Sequence, residues 1–505
     1  MSYNLSGNLK NSAEKYPDRF VYTFLDRSVT YQELDAMVDK VASGLYENGI
    51  GKGDRVALLL GNCPEFVIAY YGILRTGASV VPINPIFTSR EIEYILSNSK
   101  AKVVIANQGL SPILSSLENK LEDLQMTFYT ESINTFYSWE QLLLHSTKND
   151  FVSPPIDEND LAVVLYTSGT TGNPKGAMLS HRNMASNAES FGEFFGFTKD
   201  DRIIATLPMF HVFCMTVCIN TPIRSGAHIL ITPKFDPAEV VKTIVREKAT
   251  LFAGVPTMYS FMMQLPNATA DNFSSIRACF SGGASLPVEL LNRFQEKYKV
   301  DILEGYGLSE TAPVTVFSPL NGIRKPGSIG VNIPNVTNKV VNPNGIEVPI
   351  GEIGELVVQG PNVMLGYLEM PEATKAAFKD GWFYTGDLAK MDEDGYLYII
   401  DRIKDLIIVG GYNVYPREVE EVLYQHPEIV EAAVIGIPDS NYGEIVKAFV
   451  VCNNQNVSVE EIKLFAKERL AKYKNPSEIE ILTELPKNST GKILRRSLRT
   501  SVESK

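Results

Sequence analysis

Short apolar runs rich in β-branched residues alternate with amphipathic helical segments along the first part of the chain. The runs at 56–60 and 79–83 are typical of strands, and helical spacing fills 64–75 between them. The same alternation resumes over 203–304. Because strands separated by helices usually return to parallel neighbours, this pattern predicts α/β layers with largely parallel sheets.

The pattern changes twice towards the C-terminus, and at 505 residues the chain is longer than one ordinary domain. Over 327–400 helical periods become rare, and short β-rich segments separated by Gly and Pro indicate a small β unit. Beyond residue 404 strands combine with an amphipathic helix at 459–470. We therefore predict the α/β class, with a large N-terminal domain over 1–400 made of two layered α/β subdomains and a small β-barrel-like unit. A small, mobile α+β C-terminal domain is predicted over 405–505.

Composition excludes several classes of protein. The formal net charge of −12 argues against nucleic acid as a partner, because a phosphate backbone requires a basic face. The five cysteines stand singly without a C-x-x-C motif, which argues against structural zinc and favours a cytoplasmic location. The longest apolar run, 205–223, is interrupted by Pro208 and Pro222, so we interpret it as buried core or pocket wall and predict no transmembrane segment.

A loop rich in glycine and hydroxyl side chains, 166–176, follows the apolar run 161–165. Glycines allow backbone N–H groups to approach an anion closely, hydroxyls add neutral donors, and a lysine adds a positive charge. The loop is therefore interpreted as a phosphate site, with a solvated polar turn as the alternative. The residues predicted to face the phosphates are Thr167, Ser168, Gly169, Thr170, Thr171 and Lys175.

The composition of this loop narrows the class of nucleotide-binding protein. Neither G-x-x-x-x-G-K-[ST] nor G-x-G-x-x-G occurs in the chain. The loop resembles the signature of the adenylate-forming superfamily, which includes acyl-CoA synthetases, amino-acid adenylation domains and firefly-type luciferases. The resemblance covers nearly the whole chain and implies ATP as a substrate.

Two further segments match the adenine site of that superfamily. In Glu304-Gly-Tyr-Gly-Leu-Ser-Glu-Thr311, the resemblance implies that Tyr306 stacks on adenine and that Glu310 holds the Mg²⁺ bridging the ATP phosphates. Ser281-Gly-Gly-Ala-Ser285 resembles the segment whose backbone lines the adenine pocket. Taken alone, the local pattern favours a core role for Tyr306 and a simple turn at 281–285. The implied nucleotide contacts are Gly282, Gly283, Ala284, Glu304, Gly305, Tyr306, Gly307 and Ser309.

A third segment, Asp380 to Leu388, contains Tyr384-Thr-Gly-Asp387. A carboxylate on a tight turn can accept two hydrogen bonds from a vicinal diol. The resemblance implies that Asp387 binds the ribose hydroxyls and that Arg402 makes a further nucleotide contact.

The C-terminal motif Pro486-Lys-Asn-Ser-Thr-Gly-Lys-Ile-Leu-Arg-Arg496 carries the residue that matches the superfamily's catalytic lysine, Lys492. An ammonium group can stabilise a carboxylate that attacks the α-phosphate, and an ionised acid needs no general base. The resemblance also implies a hinge at 401–404, centred on Lys404. Rotation there would bring Gly410, Gly411 and Tyr412 to a thiol tunnel for coenzyme A, although locally these residues could form a simple turn.

The acid substrate is predicted from Leu207-Pro-Met-Phe-His211, which matches the superfamily's acid-pocket element. Phe210 and His211 are the candidate substrate contacts, although His211 could equally be a core histidine. The wall continues through 212–215 without a basic residue, and each buried CH₂ contributes about 0.8 kcal/mol, which favours medium or long acyl chains. Cys214 stands where many relatives have Gly, so the chain-length optimum stays open.

Together these features predict an AMP-forming fatty-acid–CoA ligase that uses ATP, Mg²⁺ and coenzyme A, with the closest resemblance to bacillar long-chain fatty-acid–CoA ligases. An aryl-acid ligase of the 4-coumarate type is the first alternative. A luciferase-like oxygenase acting on an acyl adenylate is the second. The oligomeric state is left open, with a homodimer as one prediction.

Overall fold

The computed structural model describes residues 3–131, 138–144, 151–167, 174–454, 457–488 and 491–503. Within these ranges the strands form four sheets, three of them before residue 403 and one after residue 406. The predicted phosphate-loop residues Ser168, Gly169, Thr170 and Thr171 lie outside the described ranges.

The strands are named β1 to β26 in chain order. They are β1 Phe20–Phe24, β2 Arg27–Thr30, β3 Arg55–Leu59, β4 Ser79–Pro82, β5 Val103–Ala106, β6 Met126–Tyr129, β7 Leu161–Thr167, β8 Lys175–Ser180, β9 Arg202–Ala205, β10 His228–Ile231, β11 Leu251–Gly254, β12 Ala278–Ser281, β13 Ile302–Gly307, β14 Val314–Phe317, β15 Val331–Asn332, β16 Thr337–Val341, β17 Gly354–Gln359, β18 Gly366–Tyr367, β19 Phe378–Lys379, β20 Trp382–Met391, β21 Leu397–Arg402, β22 Ile407–Val409, β23 Tyr412–Val414, β24 Ile429–Asp439, β25 Gly443–Cys452 and β26 Glu478–Ile481.

The α-helices are named in the same way. They are α1 Leu5–Lys15, α2 Tyr31–Glu47, α3 Pro64–Arg75, α4 Ser89–Ser99, α5 Ser111–Leu117, α6 Trp139–Leu144, α7 His181–Phe194, α8 Thr221–Ser225, α9 Pro237–Glu247, α10 Pro256–Met263, α11 Val288–Tyr298, α12 Pro371–Ala377, α13 Pro416–Tyr424, α14 Val459–Lys467 and α15 Arg495–Glu503. A π-helix, Cys214–Asn220, precedes α8.

Two large sheets form the N-terminal domain. The first has the strand order β15-β14-β13-β12-β11-β9-β10-β1-β2 and is parallel from β13 to β1. The second has the order β18-β8-β7-β4-β3-β5-β6 and is parallel from β7 to β6. Such parallel sheets are covered on both faces, which explains why their strands are apolar along their length.

The side chains of neighbouring residues in a strand pack on opposite faces of these sheets. Leu58 joins a core that also contains Ile203 and Ala253 of the other sheet, so the two sheets share this core. The next residue, Leu59, packs instead with the outer cluster under α4 and α5. In the nine-stranded sheet, Ile204 lies in the outer cluster covered by α9 and α11. The alternation follows from the two-residue period of a strand.

Local capping fixes several helix starts. At α4, the Glu91 amide donates to Thr88 Oγ1 at 3.3 Å and the Thr88 amide donates to Glu91 Oε2 at 2.8 Å. This reciprocal capping box satisfies two otherwise unpaired N–H groups and contributes about 1 kcal/mol. The predicted helix at 64–75 begins at Pro64, where proline at the first helical position costs no hydrogen bond.

The two remaining sheets are smaller. Strands β16, β17, β20, β19 and β21 form an antiparallel sheet that corresponds to the predicted β-rich unit. In the C-terminal domain, β23-β22-β25-β24 with β26 form a sheet packed against α13 and α14 on one face and α15 on the other. The α/β fold with a large N-terminal and a small C-terminal domain is confirmed.

The apolar run 205–223 is internal. Cys214 to Asn220 form the buried π-helix, which packs into the core shared by the two large sheets. Among the described helices, none is both long enough and apolar enough to cross a bilayer. The interpretation of this run as core or pocket wall is therefore confirmed.

Candidate active site

Strands β12 and β13 are parallel neighbours, and their carboxyl ends carry the two predicted adenine-site segments. In open α/β sheets, ligands bind in the crevice beyond the carboxyl ends of the strands. Gly282 follows β12, whereas Gly305, Tyr306 and Gly307 form the end of β13. The predicted segments therefore lie side by side at a ligand-binding edge.

Asp387 is buried and lies at the centre of a polar cluster. Tyr306 Oη donates a hydrogen bond to Asp387 Oδ2 at 2.5 Å, and Arg402 Nε lies 3.4 Å from Asp387 Oδ1. Burial, and then the Asp387 charge, raise the pKa of the Tyr306 phenol well above its ordinary value, so it stays a donor. Tyr306 of β13 and Arg402 of β21 therefore both contact the carboxylate of Asp387 in β20, and all three are predicted site residues.

The local structure at Asp387 differs from the predicted tight turn. Asp387 lies inside the long strand β20, directly opposite Arg402 of β21. The pairing of β20 with β17 is irregular between Glu355 and Val357, and Gly386 has a φ of +75°. The extra residues of this bulge redirect the strand, and the left-handed backbone favours glycine. A bulge within a strand therefore presents the carboxylate.

Glu310 lies on a short 3₁₀ turn after β13, beside Ser309, and contacts a tyrosine that sequence analysis did not single out. Tyr367 Oη donates to Glu310 Oε1 at 2.9 Å. Lys175 Nζ lies 4.9 Å from the centre of the same ring, within the range of a cation–π contact. Tyr367 therefore connects the predicted metal ligand to Lys175, which belongs to the predicted phosphate loop.

The donor set around Glu310 fits Mg²⁺ bound together with ATP. Mg²⁺ is usually held by one or two carboxylates plus substrate phosphates, rather than by a cage of protein ligands. Within the described ranges, no group of three or more His, Cys, Asp and Glu side chains could hold a metal. A single carboxylate, Glu310, connected to Lys175 through the Tyr367 ring, matches the first arrangement.

The glycines of the adenine segments have identifiable packing reasons. A Cβ on Gly305 would lie 2.1 Å from the Phe317 ring, and one on Gly307 would lie 2.0 Å from the Pro313 carbonyl oxygen. A Cβ on Gly282 would lie 3.3 Å from the Phe213 ring. Packing against Phe317 and Pro313 therefore requires glycine at positions 305 and 307, independently of any nucleotide.

Glu304 is buried beneath the loop that follows Gly282, Gly283 and Ala284. The Leu286 amide donates to Glu304 Oε1 at 3.0 Å. Burial raises the pKa of this carboxyl to about 7, and the nearby Arg417 cation opposes the shift. The Glu304 side chain therefore fixes the backbone of this loop. The Arg417 charge that acts on it comes from the C-terminal domain.

The predicted acid-pocket element connects β9 to the π-helix. Met209 and Cys214 are buried, whereas Phe210 and His211 are partly exposed. The Phe213 amide donates to His211 Nδ1 at 3.2 Å. Burial, and then the Lys492 charge, lower the pKa of His211 to about 4, so the imidazole is neutral at physiological pH.

Lys492 of the C-terminal domain faces this site. The Lys492 amide donates to Asn488 Oδ1 at 2.9 Å, which closes its loop. A Cβ on Gly491 would lie 2.8 Å from Thr257 Oγ1, so the loop lies against the start of α10. Burial, and then the Arg402 charge, lower the pKa of Lys492 to about 8, while Asp387 opposes the shift. The structure therefore places the Lys492 ammonium within electrostatic range of Asp387, Arg402 and His211.

The residues predicted for the thiol tunnel are exposed in this domain arrangement. Gly410 and Gly411 have φ values of +57° and +88°, as in a tight turn. Gly410 N donates to the Tyr442 carbonyl at 2.8 Å, and the Tyr412 ring stacks on Tyr473 at 4.9 Å. These contacts are all within the C-terminal domain. Lys404 is exposed on the short 3₁₀ turn between β21 and β22.

The comparisons with known proteins agree with this geometry. The AMP-binding enzyme family matches residues 9–368, and the AMP-binding enzyme C-terminal domain matches residues 418–492. The chain therefore belongs to the AMP-binding enzyme family, and the resemblance to adenylate-forming enzymes is confirmed.

Individual relatives span the whole chain. The long-chain-fatty-acid–CoA ligase of Bacillus subtilis strain 168 is 40% identical, over 98% of this chain and 94% of its own length. The crystal structure of ATP-bound MatB from Rhodopseudomonas palustris aligns with a TM-score of 0.93 at 34% identity, covering 100% of this chain and 99% of that one. The anthranilate CoA ligase AuaEII in complex with anthranoyl-AMP aligns with a TM-score of 0.93 at 31% identity, covering 99% and 97%.

Proposed function

We propose that the protein is an ATP-dependent fatty-acid–CoA ligase. It converts a fatty acid and ATP into acyl-AMP and pyrophosphate, and then converts acyl-AMP and coenzyme A into acyl-CoA and AMP. The observation that carries this proposal is the position of Lys492, partly buried beside Asp387 and Arg402 at the carboxyl edge of the sheet. Identity to long-chain-fatty-acid–CoA ligases along the whole chain supports the substrate class.

In the first half-reaction a fatty-acid carboxylate oxygen attacks the α-phosphorus of ATP. The bond to the bridging oxygen breaks, and pyrophosphate leaves with the electron pair. Two anions must approach each other, and the Lys492 ammonium stabilises the charge that develops between them. The acid is already ionised, so the neutral His211 is not needed as a base.

The remaining residues bind and orient ATP in this proposal. Asp387 accepts hydrogen bonds from the ribose hydroxyls, with Tyr306 and Arg402 fixing its orientation. Glu310, oriented by Tyr367, holds Mg²⁺, which when bound neutralises charge on the phosphates. Lys175 and the loop before it contact the leaving pyrophosphate. The loop binds the leaving group, whereas Lys492 acts on the α-phosphate.

The second half-reaction uses the same site with a different face of the C-terminal domain. We propose that this domain rotates about the hinge at 401–404, at Lys404, so that Lys492 leaves and the Gly410–Tyr412 turn enters. The sulfur of coenzyme A then attacks the acyl carbonyl, its proton passes to solvent, and AMP leaves. The left-handed glycines of the turn allow backbone to line a narrow channel.

An aryl-acid ligase is the second candidate, because an anthranilate CoA ligase has the same fold at 31% identity. We expect the highest kcat/KM with medium or long fatty acids, since the wall around Met209, Phe213 and Met215 is apolar and buried. The measurement is acid-dependent pyrophosphate release with acids of four to eighteen carbons and with aryl acids. Highest efficiency with an aryl acid would reject the fatty-acid proposal.

The pKa of Lys492 gives a prediction for the pH dependence. In the protein without substrates, the Lys492 ammonium has a pKa of about 8. We therefore expect kcat/KM for adenylation to fall as the pH rises above 8, because the ammonium then loses its proton. The measurement is the pH profile of acid-dependent ATP–pyrophosphate exchange. Lys492→Arg keeps its charge at every pH used, so any activity it retains should lack this alkaline decline. An equal decline in both proteins would assign the titration to another group.

Two finer predictions accompany the proposed function. The cysteine pattern supports a cytoplasmic location, which fractionation of the source cells would test. A homodimer is compatible with the fold, and light scattering on the purified protein would test it.

A further inference from the structure

Helix α13, Pro416–Tyr424, lies at the junction of the two domains and contacts both. On the N-terminal side, the Arg417 amide donates to Asp401 Oδ2 at 2.9 Å, and Arg417 Nη1 donates to the Ile399 carbonyl at 2.7 Å. The Val288 amide donates to Glu421 Oε2 at 3.4 Å. Val288 and Ile399 precede the predicted hinge, so two of these three contacts connect the domains directly.

Arg417 is the strongest of these connections. Its side chain is 11% exposed, and its Nε lies 3.9 Å from Glu421 Oε1. The Arg417 charge also acts on the buried Glu304 carboxyl of the N-terminal domain, since it lowers the Glu304 pKa against the effect of burial. A guanidinium that is largely removed from water and directed at a backbone carbonyl of the other domain stabilises this domain orientation.

The opposite side of α13 connects to the lysine segment. Arg495 Nη2 donates to both oxygens of Glu420 at 2.7 Å. Arg495 begins α15, three residues after Lys492, and Arg499 of the same helix donates to Asp405 at 2.9 Å. The Val434 amide also donates to Glu420, at 2.8 Å. Helix α13 is therefore fixed to the segment that carries Lys492.

We propose that Arg417 is a positioning residue that holds the C-terminal domain in the orientation for adenylation and thereby places Lys492 in the active site. This inference rests on the proposed function, in which the domain rotates about 401–404 between the half-reactions. That rotation would separate Arg417 from Ile399 and Glu304. A contact made in only one of two states shifts the equilibrium towards that state.

The test measures the two half-reactions separately in Arg417→Ala. ATP–pyrophosphate exchange should fall by about ten- to a hundredfold, the range typical of coupling between two conformational states. Thioester formation from supplied acyl-AMP and coenzyme A should be unchanged or faster, because the thioester orientation is no longer disfavoured. Arg417→Lys keeps a cation whose ammonium can donate to the Ile399 carbonyl, so it should recover most of the exchange activity.

Arg469→Ala is the matched control. Arg469 is an exposed arginine of the same domain that contacts the neighbouring Glu468 and Phe465. The rates of both half-reactions in Arg469→Ala should equal those of the wild type. Unchanged exchange in Arg417→Ala would overturn the inference, and so would an equal loss in both half-reactions, which indicates a merely structural role. Absence of exchange in the wild type would instead overturn the proposed function, and the inference with it.

Discussion

Replacing Lys492 with alanine is expected to lower the rate of acyl-AMP formation by about a hundred- to a thousandfold. Such losses are typical when one preorganised donor that stabilises transition-state charge is removed. Thioester formation from supplied acyl-AMP should stay near the wild-type rate, because Lys492 has no role once the adenylate exists. The measurement compares ATP–pyrophosphate exchange with coenzyme A-dependent consumption of acyl-AMP in the same preparation.

Lys487→Ala is the control for Lys492. Lys487 lies in the same segment, but its ammonium pairs with Glu431 of the C-terminal domain at 2.5 Å. Its loss should leave both half-reactions close to those of the wild type. Persistence of adenylation in Lys492→Ala would show that the assigned role is wrong. Loss of both half-reactions would show that Lys492 serves the whole cycle.

Replacing Asp387 with alanine is expected to lower kcat/KM for ATP by about a hundredfold or more. In the proposed complex this carboxylate accepts hydrogen bonds from two ribose hydroxyls, and a hydrogen bond to a charged group contributes about 1.5–3 kcal/mol. The substitution also leaves Tyr306 Oη and Arg402 without their shared partner. The measurement is the initial rate of adenylation as a function of ATP concentration at saturating acid.

Asp392→Ala is the matched control for Asp387. Asp392 lies just beyond the end of β20, and its carboxylate accepts from Lys325 at 2.6 Å, outside the candidate site. Its loss should leave kcat/KM for ATP unchanged. An Asp387→Ala protein with wild-type kcat/KM for ATP would show that the ribose is bound elsewhere.

Much of the fold could be predicted because its signal is local. The predicted helix at 64–75 coincides with α3. The end of β13 could not be predicted from its apolar pattern, since Gly305 to Gly307 join the strand only through antiparallel pairing with the next strand, β14. The helix predicted over 459–470 ends at Lys467. The prediction was too long because Leu470 keeps the helical spacing, although it packs against the core from the following loop.

The site could be predicted where a short motif carries its residues. Lys492, Asp387, Tyr306 and Arg402 come from four separate segments, and the fold brings them together. Tyr367 could not be predicted from local pattern, because its contact with Glu310 spans 57 residues.

The proposed role of Arg417 could not be predicted from the sequence either. Its partner Ile399 contributes only a backbone carbonyl, which leaves no trace in side-chain type. A charged residue at the start of an amphipathic helix is typical of a solvated face, and only the domain arrangement gives Arg417 a partner in the N-terminal domain.

In the proposed reaction the acid is activated as an acyl adenylate before coenzyme A attacks. The most direct measurement uses hexadecanoic acid labelled with ¹⁸O in both carboxylate oxygens, together with ATP, Mg²⁺ and coenzyme A, and mass spectrometry of the products. Attack of the carboxylate on the α-phosphorus predicts one ¹⁸O atom in AMP, one in the acyl-CoA and none in pyrophosphate. Unlabelled AMP, or label in pyrophosphate or phosphate, would show that the carboxylate does not attack the α-phosphorus.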